Sequence, residues 1–111
     1  MGPVTMTKII RDLCAIPNMQ HLFPENSLEP IKCGNISILP DVYLLPYPWW
    51  EFKKIYEPGK WQEFIAQFKN KSYSIHAYEN KSKHLKIKQG SDSVYEGAAR
   101  NFCPITHPLL V

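Results

Sequence analysis

Ten prolines in 111 residues set the tightest limit on what this chain can fold into. Each fixes φ, removes a backbone donor and biases the residue before it toward extended conformations. They fall at positions 3, 17, 24, 30, 40, 46, 48, 58, 104 and 108, which argues against a compact helical bundle. The elements between them are short and joined by stiff extended segments. The length suits one domain. An apolar fraction of 44% excludes a disordered tail, a collagen-like chain and a coiled coil. No apolar run reaches the roughly 18 residues needed to span a bilayer. A net charge of +3 does not by itself indicate a nucleic-acid partner.

Between the prolines, local periodicity predicts a few elements. Met6, Ile9, Ile10, Leu13 and Cys14 share one helical face, with Pro3 in the first turn and Pro17 ending the run. Residues 17–35 read as an irregular loop, and Ile36–Leu39 as a short strand stopped by Pro40. Leu44–Trp50 holds two prolines and is expected to form no regular element. Trp61, Phe64, Ile65 and Phe68 mark a second amphipathic helix between Gly59 and Asn70. Tyr73–Tyr78 is rich in strand formers; Tyr73, Ile75 and Ala77 would share one face and Ser74, His76 and Tyr78 the other. Asn80–Ser93 reads as a long basic loop. Ser93-x-x-Glu96 is a capping-box pattern opening a last helix, with Val94, Ala98 and Phe102 on one side and Pro104 beyond its end. Three helices with two or three strands are expected to be part of an α/β fold whose main sheet is missing.

Cys14, Cys33 and Cys103 show no zinc-type spacing. Taken alone they read as three buried small hydrophobes. Asn35-Ile36-Ser37, Asn70-Lys71-Ser72 and Asn80-Lys81-Ser82 are glycosylation acceptor patterns, and three among six asparagines point to a lumenal or secreted chain. In that setting Cys14–Cys33 is the natural bridge, closing a loop of about 20 residues worth on the order of 3 kcal/mol. Cys103 would then need a partner outside the chain. No basic start followed by an apolar stretch marks a signal peptide after Met1, so the chain is expected to be the C-terminal piece of a longer secretory-pathway protein.

The chemistry concentrates between residues 69 and 88, where six lysines face one acid, Glu79. Such a run is usually a solvated face. Following a strand, it is also a place to hold an anionic ligand such as a diphosphate. The aromatics are not interleaved with the lysines as nucleic-acid stacking platforms require. Mid-strand His76 is either a satisfied core residue, a metal ligand or a donor to a phosphate oxygen. Trp61 lies at helical spacing and reads as core, whereas Trp49 and Trp50 sit at an irregular corner where indole faces can stack on a sugar. Paired carboxylates, a Gly-rich phosphate loop, a nucleophile elbow and an Asp-x-Asp metal motif are all absent; Asp12, Asp41 and Asp92 stand isolated.

Tyr73-Ser74-Ile75-His76-Ala77-Tyr78-Glu79-Asn80-Lys81-Ser82 resembles the Tyr-Ala-Val-His-Val-Trp-Asn-Lys-Lys-Ser segment of the lactosylceramide α-1,4-galactosyltransferase (globotriaosylceramide synthase) family. Pro46-Tyr47-Pro48-Trp49 resembles its Pro-Ile-Pro-Trp, and Asn101-Phe102-Cys103-Pro104-Ile105-Thr106-His107 its Arg-Tyr-Cys-Pro-Thr-Thr-His end. Gly2-Pro3 and the cysteines at 14 and 33 also fit, so the resemblance runs from Gly2 to His107. Tyr78 stands where the family has Trp, and Glu79 where it has Asn.

The resemblance implies that residues 1–111 are the C-terminal domain of a GT-A, Rossmann-like nucleotide-diphospho-sugar transferase. It implies a retaining Golgi type II membrane enzyme, its domain on the lumenal side, moving galactose or N-acetylgalactosamine from a UDP donor to a glycosphingolipid. Mn²⁺ is expected with an Asp-x-Asp that, like the membrane anchor, lies before residue 1 in the family; this piece alone is expected to be inactive. His76, Lys81 and Lys83 are expected at the donor diphosphate, His76 also on the metal, and Gly2, Pro3, Trp49 and Tyr78 at the acceptor sugar. The rival expectation is a non-catalytic remnant serving as a lumenal sugar-binding or structural domain.

Overall fold

Pro3 opens the first helix, α1, which runs Pro3–Cys14 in the computed structural model; residues 2–19, 22–24 and 27–109 are described. Gly2 is its N-cap in extended geometry, and Ala15 ends it in left-handed conformation with φ 53°. The Arg11 guanidinium donates to the Pro17 carbonyl at 2.8 Å, covering the helix end. The chain divides into two units, residues 1–40 and 41–111.

In the first unit, β1 (Ile31–Cys33) and β2 (Ile36–Ile38) pair antiparallel, Ile31 opposite Ile38 and Cys33 opposite Ile36. Residues 17–35 are therefore not wholly irregular. Gly34-Asn35 makes a two-residue hairpin turn with Gly34 at φ +57°, a conformation glycine adopts without steric cost. Cys14 and Cys33 form the expected disulfide, tying the end of α1 to the end of β1. The bridge matters because α1 buries no residue: Val4, Met6, Ile9 and Leu13 are all exposed. A 12-residue helix without a packed face is marginal in water.

The second unit has a true core. α2 (Trp61–Phe68) buries Trp61, Phe64 and Phe68, three of the four residues whose spacing predicted it. They pack with Tyr47, Ile55 and Val94, the last two fully buried. Burying such a side chain contributes roughly 1.5–3 kcal/mol. α4 (Val94–Phe102) begins at the expected cap, with Ser93 Oγ accepting from the Glu96 N–H at 3.1 Å. Gly97 lets α4 lie directly against the Trp61 indole. Phe102 does not join Val94 in the core; it is exposed near the helix end.

The expected strand at 73–78 is not one. Among the described residues, its backbone N–H groups make one bond to a neighbouring segment's carbonyl, from Tyr73 to Tyr43 at 2.7 Å. Beyond that point the neighbouring segment holds Pro46 and Pro48, which have no N–H to offer a ladder. Side chains fasten the two segments instead. Ser72 donates to the Val42 carbonyl, Ser74 to Leu44 at 2.9 Å, and Tyr78 to Tyr47 at 2.7 Å. The expected loop after it starts with a single helical turn, α3 (Glu79–Ser82). The proline corner likewise gives way to a 3₁₀ helix at Trp49–Ile55.

Candidate functional site

Tyr78 organises the site. It caps α3 with φ 51° and ψ 49°, a left-handed conformation that costs a non-glycine residue about 1–2 kcal/mol. Its hydroxyl is anchored on the Tyr47 carbonyl, and burial raises the phenol's pKa above its usual value, so it remains a donor. Backbone strain held in place by such contacts gathers at binding sites. Here it turns the chain so that His76, Tyr78, Glu79, Asn80 and Lys81 line one cleft of about 410 Å³. That lies within the roughly 300–1,000 Å³ of small-ligand sites.

His76 is exposed, not a packed core histidine. Its ring lies 4.3 Å from the Tyr78 ring, and its Nδ1 accepts the Tyr78 backbone N–H at 3.0 Å. An Nδ1 that accepts carries no proton, so the neutral ring bears its proton on Nε2. That places an N–H donor on the ring's free edge, suited to an anionic oxygen. Ligating a metal through Nε2 would require that proton to move and the bond from the Tyr78 N–H to be given up. Among the described residues no group of three His, Cys, Asp or Glu side chains is placed to hold a metal ion.

Lys81 Nζ stands 5.0 Å above the Trp49 ring, so the lysine and the indole belong to one surface. Trp49 and Trp50 are 56% and 67% exposed and meet edge to face, leaving indole surface open for stacking. The structure therefore groups His76, Tyr78, Lys81 and Trp49. Lys83 caps the end of α3 and is not among the cleft's lining residues. Gly2 and Pro3 belong to the first unit, where Pro3 borders a depression along α1 with Thr7, Lys8 and Arg11. The exposed Glu79 places one negative charge in the cleft beside Lys81.

A second polar cluster escaped the sequence reading. Glu96 is fully buried, yet both of its carboxylate oxygens are engaged. His107 Nε2 lies 2.6 Å from one; Arg100 donates to the other at 3.1 Å, as does the Asp92 N–H. Burial alone would raise this carboxyl's pKa; the bonds from His107 and the loop N–H groups, together with the Arg100 charge, outweigh it and hold it below the usual value. Asp92 is not isolated but paired with Arg100 at 2.8 Å. The sequence signals were the capping-box glutamate and the histidine ending the Cys-Pro-Ile-Thr-His stretch, too far apart to connect without the fold.

A cleft with an imidazole N–H and a lysine, with an exposed indole beside that lysine, is suited to a sugar bearing an anionic group. The class follows from comparison with known proteins: residues 1–110 match the model of the alpha 1,4-glycosyltransferase conserved region, and the chain belongs to that family. It is similar to the lactosylceramide 4-alpha-galactosyltransferases of Rattus norvegicus, at 26% identity, and Pongo pygmaeus, at 24%, each over 96% of this chain. The chain spans 27% of the rat relative's length and 44% of the orangutan one's. No solved structure matches.

Proposed function

We propose that this chain is the C-terminal domain of a GT-A glycosyltransferase acting at the lumenal face of the Golgi membrane. It transfers galactose or N-acetylgalactosamine from a UDP donor, in α-1,4 linkage, to a glycosphingolipid acceptor. The observation that carries the reading is the Nε2 donor edge of His76, set by the Tyr78 N–H, in the same cleft as Lys81. Family membership supports the reaction class.

Transfer breaks the bond between the anomeric carbon and the diphosphate, so negative charge develops on the departing oxygen. An N–H and an ammonium already in position stabilise that charge without reorganising. The Trp49 indole, held under Lys81, offers an apolar face to a pyranose ring. The Mn²⁺ that the resemblance implies would supply Lewis-acid help, held by residues outside this cleft.

In the full-length enzyme, His76→Ala should lower kcat for UDP-galactose transfer to lactosylceramide by about 10²-fold or more, the usual effect of losing one donor to a developing anion. The circular dichroism spectrum should not change, since the ring is exposed. His76→Asn, which keeps an N–H donor, should recover part of the rate. Near-normal transfer by His76→Ala would sink the proposal.

A further inference from the structure

The three acceptor asparagines differ in what the fold does with the hydroxyl two residues on. Asn35 is the second residue of the hairpin turn, and both it and Ser37 are exposed. Ser72 has turned its hydroxyl onto the Val42 carbonyl. Ser82 is buried, donates to the Ala77 carbonyl at 2.9 Å and lies 3.0 Å from the Tyr56 hydroxyl. Asn80 is exposed but lines the His76–Lys81 cleft, where an oligosaccharide would cover the site. The Cys14–Cys33 bridge belongs to the same unit as Asn35 and implies an oxidising compartment.

We infer that Asn35 carries an N-linked glycan and that Asn70 and Asn80 do not. The donor is an oligosaccharide carried on a lipid diphosphate. The Asn35 amide nitrogen attacks the anomeric carbon; the C–N bond forms as the C–O bond to the diphosphate breaks. The amide loses one proton, and the lipid diphosphate leaves with the electron pair. The hydroxyl that the transferase reads stays available at Ser37 before and after folding. At Ser72 and Ser82 it is withdrawn once the second unit forms. The inference does not need the proposed catalysis: Asn35 rests on the exposed hairpin and the bridge, and Asn70 and Asn80 on the engaged hydroxyls of Ser72 and Ser82.

The test is expression of the full chain into a eukaryotic secretory pathway, followed by enzymatic glycan release in ¹⁸O water and peptide mass spectrometry. The expected result is heavy-oxygen label at position 35 and none at 70 or 80. Asn35→Gln and Ser37→Ala should each abolish the gel-mobility shift on glycan release, and Asn70→Gln and Asn80→Gln should leave it intact. Because Ser37→Thr preserves the acceptor pattern, it should keep the shift, separating lost modification from lost folding. An unlabelled Asn35, or equal label at all three positions, overturns the inference.

Discussion

Gly97→Ala should destabilise the second unit although it improves the helix. Gly97 lies inside α4, where glycine costs about 1 kcal/mol relative to alanine. In an exposed helix the substitution would therefore stabilise. Here the added Cβ would lie 2.6 Å from Trp61 Cε3 and nearer still to Cγ and Cδ2. No methyl fits at that distance, so the ring or the helix must move. The indole has little freedom to yield: it is 6% exposed and stacks on Phe64 at 5.8 Å between centroids. Overpacking of this kind costs typically 1–3 kcal/mol and more when neighbours are locked. Set against the propensity gain, the net loss should be on the order of 1–2 kcal/mol. Urea unfolding followed by tryptophan fluorescence reads it as a lowered midpoint with unchanged slope. The same Gly97→Ala change in a Trp61→Leu background, where the ring is gone, should be neutral or stabilising. A raised midpoint in the otherwise unaltered chain would refute the claim that the glycine is required by the indole.

Glu96→Gln removes the charge that His107 and Arg100 both address and should cost on the order of 2 kcal/mol, typical of charge-assisted hydrogen bonds. The sign with pH follows from the lowered carboxyl. Glu96 contributes its stability above its unfolded value, near 4.5, and loses it as pH falls through the lower folded value; urea midpoints in that acid range should drop less steeply in Glu96→Gln. Cys33→Ser should remove about 3 kcal/mol of constraint from the first unit, read as loss of amide-exchange protection in α1 with the second unit unaffected. Protection that persists in α1 would show that the helix is held by something other than the bridge.

The elements legible in the sequence are those fixed within a few residues of themselves. α1, α2 and α4 follow from apolar spacing and local punctuation: Pro3 at one start, Ser93 with Glu96 at another. The hairpin was equally local, and its Gly34-Asn35 signal was there to be read. The family motifs likewise brought His76, Lys81 and Trp49 forward, and these residues share one surface.

What the sequence left open depends on partners distant along the chain. Tyr73–Tyr78 has strand-forming side chains, but a strand needs a neighbour with free N–H groups, and the neighbour it meets carries Pro46 and Pro48. α1 and α2 share the same apolar period, yet only α2 has a core to enter; periodicity shows that a face is apolar, not what will cover it. The sequence marks Glu96 as a cap, and only the return of the chain to His107 brings an imidazole onto its buried carboxylate. The state of the His76 ring was likewise a tertiary decision, because it rests on the left-handed turn at Tyr78, held by a hydrogen bond to Tyr47 across 31 residues. Local propensity acts through bonds a few residues long, whereas burial, pairing and proton placement are settled by whichever groups the folded chain brings within about 3 Å.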